Sequence, residues 1–225
     1  MKSEADRIYL ELLKVLKKHS SKTDAVQMSA YMKNHFEFFG VKSVLRNELM
    51  KLVISKKNKP KKKAAENLVK LLWNDEHREF QYAGMEIWSW YNKEAEEKDI
   101  SFIEKLIKTK PWWDTVDFIA AHLFGNYITL FPKKRDAICK KWSDSSNMWL
   151  QRSVILSQLK FKENTDSKFL FQYCKKHRED NEFFIRKAIG WALREYSKTN
   201  PKAVKSFVKS TNLSNLSVRE ATKYL

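Results

Sequence analysis

Apolar residues recur along the chain at the three- and four-residue spacing of amphipathic helices, and strand-like alternation is hard to find. The N-terminal third carries three such apolar segments, at residues 8–16, 25–39 and 44–54. Only four glycines and four prolines punctuate the whole sequence, so turns are few and the elements are long. The pattern predicts an all-α protein.

From residue 66 onward the helices repeat in pairs. The pairs are 66–72 with 76–91, 100–108 with 112–124, 134–142 with 147–160, 167–177 with 181–197, and 201–209 with 214–224. In the second helices, a set of residues spaced 33 to 35 apart takes corresponding places: Tyr82, Asp117, Arg152, Arg186 and Arg219. This period is typical of a helical solenoid. We therefore predict one domain over residues 1–225.

Positive charge is in large excess. The 44 lysines and arginines against 27 acidic residues give a formal net charge of +17, which favours a polyanionic partner and above all nucleic acid. A membrane surface would also attract this charge. However, no apolar run approaches the roughly 20 residues that span a bilayer, and no signal-peptide pattern follows the first residue. We expect a cytoplasmic protein without a membrane partner.

Cysteine and histidine give no sign of a metal site. Cys139 and Cys174 are 35 residues apart, at equivalent places in neighbouring repeats. Packed helices stand too far apart there for a disulfide, so we expect two reduced thiols. The five histidines lack paired ligand spacing and are interpreted as surface or capping residues. We expect neither metal nor cofactor.

The loop at residues 56–63 is rich in lysine. It is interpreted equally well as a charged segment that is simply solvated and as a flexible clamp that binds DNA phosphates.

The helix at residues 181–198 carries a second stripe beside its apolar face. Lys187, Trp191, Arg194 and Lys198 follow i, i+4, i+7, i+11 spacing and share one side of the helix. A tryptophan among cations predicts a platform for nucleic acid. The alternative is a half-buried tryptophan whose rim makes cation–π contacts.

A lone carboxylate stands in the ladder of equivalent positions. Asp117 occupies the place that later repeats give to Arg152, Arg186 and Arg219, and it lies one turn from Trp113. A carboxylate on a DNA-binding surface repels phosphate, so another role must offset this loss of affinity. Asp117 is either a structural partner of an arginine such as Arg152 or a group that takes part in chemistry.

Five stretches of the sequence are distinctive: residues 30–36 (AYMKNHF), 78–81 (REFQ), 112–117 (WWDTVD), 149–152 (WLQR) and 183–191 (FFIRKAIGW). Together they resemble the bacterial DNA alkylation repair glycosylases of the AlkD type, and the resemblance spans nearly the whole chain. The resemblance implies a right-handed superhelix of HEAT-like helical repeats. It also implies an enzyme that excises N3- and N7-alkylpurines from duplex DNA through backbone contacts, without base flipping.

The resemblance also implies where the site lies. The two tryptophans, the aspartate and the arginine of the family's cleft map onto Trp113, Asp117, Arg152 and Trp191. The cleft tyrosine maps onto Tyr31, whereas Lys42 replaces another polar residue of the cleft. Further DNA contacts are expected from the cations of residues 181–198, which are Arg186, Lys187, Arg194 and Lys198.

The chemistry follows from the substrate. A purine alkylated at N3 or N7 is cationic and leaves easily, so the reaction needs stabilisation of positive charge on the sugar, which a carboxylate can supply. We expect a monomer that acts on double-stranded DNA containing alkylated purines. Two alternatives stay open, namely a non-catalytic DNA-binding repeat protein and a HEAT-type scaffold for an acidic peptide.

Overall fold

The computed structural model describes residues 2–225, and in this part of the chain all regular elements are helices, without a strand. Its only β-type pairing is an isolated bridge between Glu37 and His77. The all-α prediction is confirmed. Internal contacts divide the chain into two compact units, one ending at Glu94 and the other running from Ala95 to Leu225. The single domain over residues 1–225 stays a prediction.

Over residues 2–94, the first unit holds five α-helices and two short 3-10 helices. The α-helices are α1 (Glu4–Lys18), α2 (Lys22–Tyr31), α3 (Ser43–Val53), α4 (Lys62–Asn74) and α5 (Arg78–Ser89), and the 3-10 helices are Lys56–Asn58 and Asn92–Glu94. Helices α1, α3, α4 and α5 pack around a core of large apolar residues. This core includes Leu12, Leu16, Leu68, Leu72 and Phe80.

The predicted helix over residues 25–39 is wrong beyond Tyr31. Lys33 and Asn34 adopt the left-handed region, with φ of 59° and 58°, and this ends α2. The connection to α3 is then fixed by the buried carboxylate of Glu79, which accepts the backbone N–H groups of residues 39–41 at 3.0 to 3.2 Å. Gly40 is required there, because its φ is +84° and a Cβ would lie 2.1 Å from the carbonyl oxygen of Ser21.

The lysine-rich segment at residues 56–63, predicted as a loop, is partly helical. Residues 56–58 form a 3-10 helix and α4 begins at Lys62. Lys59 donates to the backbone carbonyl of Trp90 at 3.1 Å and pairs with Glu94 at 2.5 Å. Part of the charge run is therefore neutralised within the protein.

The second unit contains nine α-helices arranged largely as predicted pairs. They are α6 (Asp99–Lys108), α7 (Trp113–Phe118), α8 (Gly125–Leu130), α9 (Pro132–Ser143), α10 (Met148–Leu156), α11 (Ser167–Lys176), α12 (Phe183–Ser197), α13 (Pro201–Ser210) and α14 (Asn215–Ala221). A π-helix (Ile119–Phe124) joins α7 to α8, and a 3-10 helix (Lys162–Asn164) precedes α11.

The second helices of successive pairs pack on one another. Helix α10 contacts the π-helix on one side and α12 on the other, and α12 packs against α14. Their buried faces form a continuous apolar core that includes Leu156, Ile185, Ile189 and Leu193. This stacking brings equivalent positions of neighbouring repeats together, which builds the site described next.

Cys139 and Cys174 are both free thiols buried in the second unit. Three histidines are cap residues, as the sequence indicates: His19 and His177 end α1 and α11, and His77 precedes α5. His177 is buried rather than on the surface, and its Nε2 lies 2.7 Å from the hydroxyl of Ser143.

Candidate functional site

An open cleft in the second unit gathers most of the residues singled out in the sequence. Its lining comprises Trp113, Asp117, Arg152, Phe183, Phe184, Lys187, Trp191, Arg194 and Glu220. These side chains come from α7, α10, α12 and α14 and the ends of those helices. All four residues to which the resemblance assigns the family's chemistry therefore share one cavity.

Helix α7 supplies Trp113 and Asp117 to the cleft. They are four residues apart, so they project from the same side of this helix. The helix is only six residues long before it widens into the π-helix that begins at Ile119. Single-turn π-helical widenings are often found at functional sites, and this one starts two residues after Asp117.

Asp117 and Arg152 form a two-point ion pair. The Nε and Nη2 groups of Arg152 donate to the two carboxylate oxygens of Asp117 at 2.7 and 2.8 Å. The arginine side chain is 5% exposed and the aspartate side chain 13% exposed, so the guanidinium lies behind the carboxylate, and part of the carboxylate reaches the cleft. The ion-pair alternative raised by the sequence is therefore present.

Burial raises the pKa of Asp117, and the two hydrogen bonds and the charge of Arg152 oppose that rise. A proton on either oxygen would displace one N–H donor of a guanidinium that stays charged at any accessible pH. The pair therefore favours an ionised Asp117 at neutral pH. Each oxygen keeps lone pairs that Arg152 does not use.

Phe184, one member of an aromatic cluster, helps to hold Arg152 in place. Trp112, Trp149 and Phe184 meet with ring centroids 5.1 to 5.8 Å apart. The backbone carbonyl of Phe184 accepts a hydrogen bond from Nη1 of Arg152, and the Phe184 ring lies 5.8 Å from the guanidinium carbon. Three of the five guanidinium N–H groups are thus engaged, and the arginine has a fixed orientation.

Helix α12 contributes Lys187, Trp191 and Arg194 to the cleft. Trp191 is half-buried, since one side packs against the core and another lines the cavity. Both cations are paired with Glu220 of α14, Lys187 at 2.7 Å and Arg194 at 2.8 Å. The predicted cationic stripe exists here, but a carboxylate within the cleft offsets part of its charge.

Two other cations predicted to bind DNA do not line this cleft. Nε of Arg186 donates to the backbone carbonyl of Asp180 at 2.8 Å, and its Nη2 donates to Asn181. Lys198 pairs with Glu195 at 2.7 Å and lines a separate pocket of the second unit. Their roles in DNA binding stay predictions.

Tyr31 and Lys42 belong to the first unit. Tyr31 is the last residue of α2 and is 69% exposed. Lys42 precedes α3 and pairs with Asp24 at 2.7 Å, with its side chain largely exposed. Their assignment to the DNA surface likewise stays a prediction.

Sequence reasoning missed three residues of the cleft. Phe183 and Phe184 belong to the stretch 183–191 that carries the resemblance, but they were given no role in the site, although Phe183 is 56% exposed. Glu220 gave a usable signal, because it lies 33 residues after Lys187, one repeat along the chain. Asp117 and Arg152 are likewise one repeat apart, so opposite charges at equivalent places indicate an ion pair between stacked helices.

Among residues 2–225, no group of three or more His, Cys, Asp or Glu side chains is arranged to hold a metal ion. No helix in that part of the chain is long and apolar enough to cross a membrane.

The chain is similar to known DNA alkylation repair enzymes in sequence and in structure. Residues 12–225 match the family model of the DNA alkylation repair enzymes. A solved structure described as a predicted DNA alkylation repair enzyme from Enterococcus faecalis is 32% identical, with a TM-score of 0.85 over 92% of this chain and 96% of that one. No curated protein matches the chain.

Two further solved structures share the fold. AlkD2 from Streptococcus mutans is 21% identical, with a TM-score of 0.59 over 74% of this chain and 83% of that one. The protein smu.31 from Streptococcus mutans UA159 is 18% identical, with a TM-score of 0.60 over 93% and 99% of the two chains. The family match over residues 12–225 and the 32% identical structure show that this chain belongs to the DNA alkylation repair enzyme family.

Proposed function

We propose that the protein is a DNA glycosylase that removes cationic N3- and N7-alkylated purines, of the 3-methyladenine and 7-methylguanine type, from duplex DNA. The observation that carries the proposal is the presence of Trp113, Asp117 and Trp191 in one cleft, with an oriented carboxylate between basic and aromatic side chains. The family membership and the net charge of +17 support DNA as the substrate.

Asp117 is the proposed stabiliser of the transition state. When the bond between C1′ and the purine nitrogen breaks, its electron pair neutralises the cationic base, and positive charge develops on the deoxyribose. A carboxylate held beside that sugar stabilises the charge electrostatically. Water then forms a bond to C1′ and loses a proton to solvent, which completes hydrolysis. Because the base departs as a neutral purine, no general acid is needed.

Arg152 is the proposed positioning residue for that carboxylate. Its two N–H donors fix both oxygens of Asp117, so the carboxylate is oriented before the substrate binds and needs little reorganisation. Trp113 and Trp191 are proposed to pack against sugar and backbone, where their rings exclude water and attract the developing cation.

The open form of the cleft supports recognition through the sugar-phosphate backbone without extrusion of the base. In this scheme, the enzyme selects lesions by how readily they depart, and bulky cationic adducts are also accepted. Enzymes that flip a base instead enclose it in a fitted pocket.

A second function is favoured by one observation. Both oxygens of Asp117 are engaged by Arg152, as they would be in a purely structural ion pair. The protein would then bind duplex DNA without cutting the glycosidic bond.

Incubation of the protein with duplex treated with a methylating agent separates the two functions. The glycosylase releases free 7-methylguanine and 3-methyladenine and leaves abasic sites, whereas a binding protein retards the duplex without release of base. An untreated duplex of the same sequence is the control, and no base should be released from it.

A further inference from the structure

Glu220 is the one acidic side chain besides Asp117 that lines the cleft. One carboxylate oxygen accepts Nζ of Lys187 at 2.7 Å, and the other accepts Nη1 of Arg194 at 2.8 Å. The Glu220 side chain is 16% exposed, and the hydrogen bond from Lys187, followed by the charges of both cations, lowers its pKa. Glu220 is therefore an ionised bridge between the two cations.

The position of this bridge is set by close helix packing. Lys187 and Arg194 lie four residues before and three residues after Trp191, so they flank it on α12. Helix α14 approaches α12 at Gly190, where a Cβ would lie 2.4 Å from the Cβ of Glu220. The hydroxyl of Ser217 also donates to the carbonyl of Arg186 at 2.9 Å. Glu220 is thus held against the tryptophan side of the cleft.

We propose that Glu220 is a positioning residue that restrains Lys187 and Arg194 and lowers the affinity of the cleft for intact duplex DNA. The proposal rests on the proposed function, in which this cleft receives the DNA backbone. A phosphate that approaches either cation must compete with a carboxylate already in contact with it. Phosphate and carboxylate are both anions that Lys and Arg bind by the same N–H donors.

Glu220 lowers the net positive charge of the cleft. Asp117 offsets Arg152, and Glu220 offsets one of the two remaining cations, so the net charge of the lining is about +1 rather than +2. Sequence-independent affinity for DNA depends mainly on the number of phosphates neutralised. Fewer available cations therefore weaken the binding of the cleft to undamaged DNA.

The test is the dissociation constant of Glu220→Gln for an undamaged duplex, measured over a range of salt concentrations. The substitution removes the charge and keeps the size of the side chain. Affinity should tighten by about 3- to 10-fold at moderate salt, and the log–log salt slope should steepen by about 0.9 for each phosphate newly bound by Lys187 or Arg194. A purely structural role would not steepen this slope.

Glu179→Gln is the matched control. It removes one acidic charge from the same unit and releases Arg178, with which Glu179 pairs at 2.8 Å outside the cleft. Its slope should stay at the wild-type value. Equal changes in both variants would overturn the proposal, because net charge alone would then explain them. Unchanged or weaker binding by a folded Glu220→Gln protein would also overturn it.

If Glu220→Gln does not fold, the same measurement on Glu220→Asp tests the proposal. The shorter side chain retains the charge but cannot reach both cations, so binding should tighten and the slope should steepen by about 0.9. A wild-type slope would contradict the proposal. Because these measurements use undamaged DNA, they are independent of base release: a wild-type protein that releases no methylated base would refute the proposed function and leave the Glu220 result standing.

Discussion

Asp117 and Arg152 are joined by two hydrogen bonds of 2.7 and 2.8 Å between stacked helices, one repeat apart in the sequence. This ion pair places a carboxylate at the edge of the cleft and a buried guanidinium behind it. The pair has structural and electrostatic consequences that can be measured separately.

Arg152→Gln should lower stability most at neutral pH. Loss of one partner of a buried pair costs about 3–5 kcal/mol because the remaining charge is uncompensated. Without Arg152, nothing opposes the rise that burial causes in the pKa of Asp117. A carboxyl whose folded pKa is raised contributes less stability as pH rises through that value, so the variant should be less destabilised at pH 5 than at pH 7.5.

Urea denaturation of wild type and Arg152→Gln at both pH values checks this prediction. The difference in free energy of unfolding between the two proteins should shrink at the lower pH. An equal difference at both values would show that Asp117 is not the group left unpaired.

Lys187→Gln, added to Glu220→Gln, should reverse part of the steeper salt dependence that Glu220→Gln gives to duplex binding. If the cleft binds DNA, the wild-type protein should show a log–log slope of several units, and loss of one cation that Glu220→Gln frees to contact phosphate should reduce the slope of that variant by about 0.9. Arg178→Gln, outside the cleft, is the control and should have a smaller effect. Fluorescence anisotropy with an undamaged duplex provides the slopes, and a flat salt profile for the wild type would refute a polyanion-binding cleft.

His177 should make the protein less stable in mild acid. Burial lowers the pKa of His177 below its ordinary 6.5, helped by Lys176 and opposed by Asp180 and Asp144. The folded state therefore favours neutral His177, and the stability this provides is present above pH 6.5 and lost as pH falls through the lowered value. Thermal melting from pH 7.5 to 5 should show this loss.

His177→Gln is the matched variant for that profile, because its amide can still meet the Ser143 hydroxyl but does not titrate. The fall in melting temperature below pH 6.5 should be smaller than in the wild type. If melting temperature fell equally with pH in both proteins, groups other than His177 would be responsible for the acid sensitivity.

Gly190→Ala should destabilise the packing of α12 on α14. The added Cβ would lie 2.4 Å from the Cβ of Glu220 and 2.9 Å from the carbonyl oxygen of Ser217, so the helices must separate. We expect a cost of about 1–3 kcal/mol. Gly84→Ala is the comparison, since its Cβ would lie 3.3 Å from the Trp73 side chain and 3.6 Å from the Cβ of Leu72, and it should cost less. Chemical denaturation of the two variants checks the order.

The sequence predicted the cleft better in some parts than in others. Trp113 and Asp117 could be assigned to one side of a helix because helical periodicity is a local property. The repeat period indicated Arg152 as a possible partner of Asp117, because equivalent positions of stacked repeats lie close together. Phe183 was missed because its place in the cleft depends on tertiary packing, which no local pattern encodes. Glu220 was missed although its spacing of one repeat from Lys187 indicated an ion pair.

The N-terminal helices show the same limit. Apolar periodicity continues past Tyr31, yet α2 ends there because Lys33 and Asn34 adopt the left-handed region and Glu79 binds the following backbone. A buried carboxylate 40 residues away from the segment it fixes is a tertiary effect. Lys198 illustrates a different limit, because a stripe on a long helix need not face one cavity along its whole length, and its role in DNA binding stays a prediction.

The most direct test of the account is the single-turnover rate of 7-methylguanine release by Asp117→Asn at saturating enzyme, measured where circular dichroism shows the variant folded. If Asp117 stabilises a cationic sugar, the rate should fall by about 10- to 1000-fold, while binding to undamaged duplex holds or tightens. At pH 7.5, where Asp117 of Arg152→Gln is ionised, that variant breaks the same ion pair but keeps the carboxylate and should lose less. An unchanged rate for folded Asp117→Asn, or equal losses in both variants, would contradict the catalytic role of Asp117.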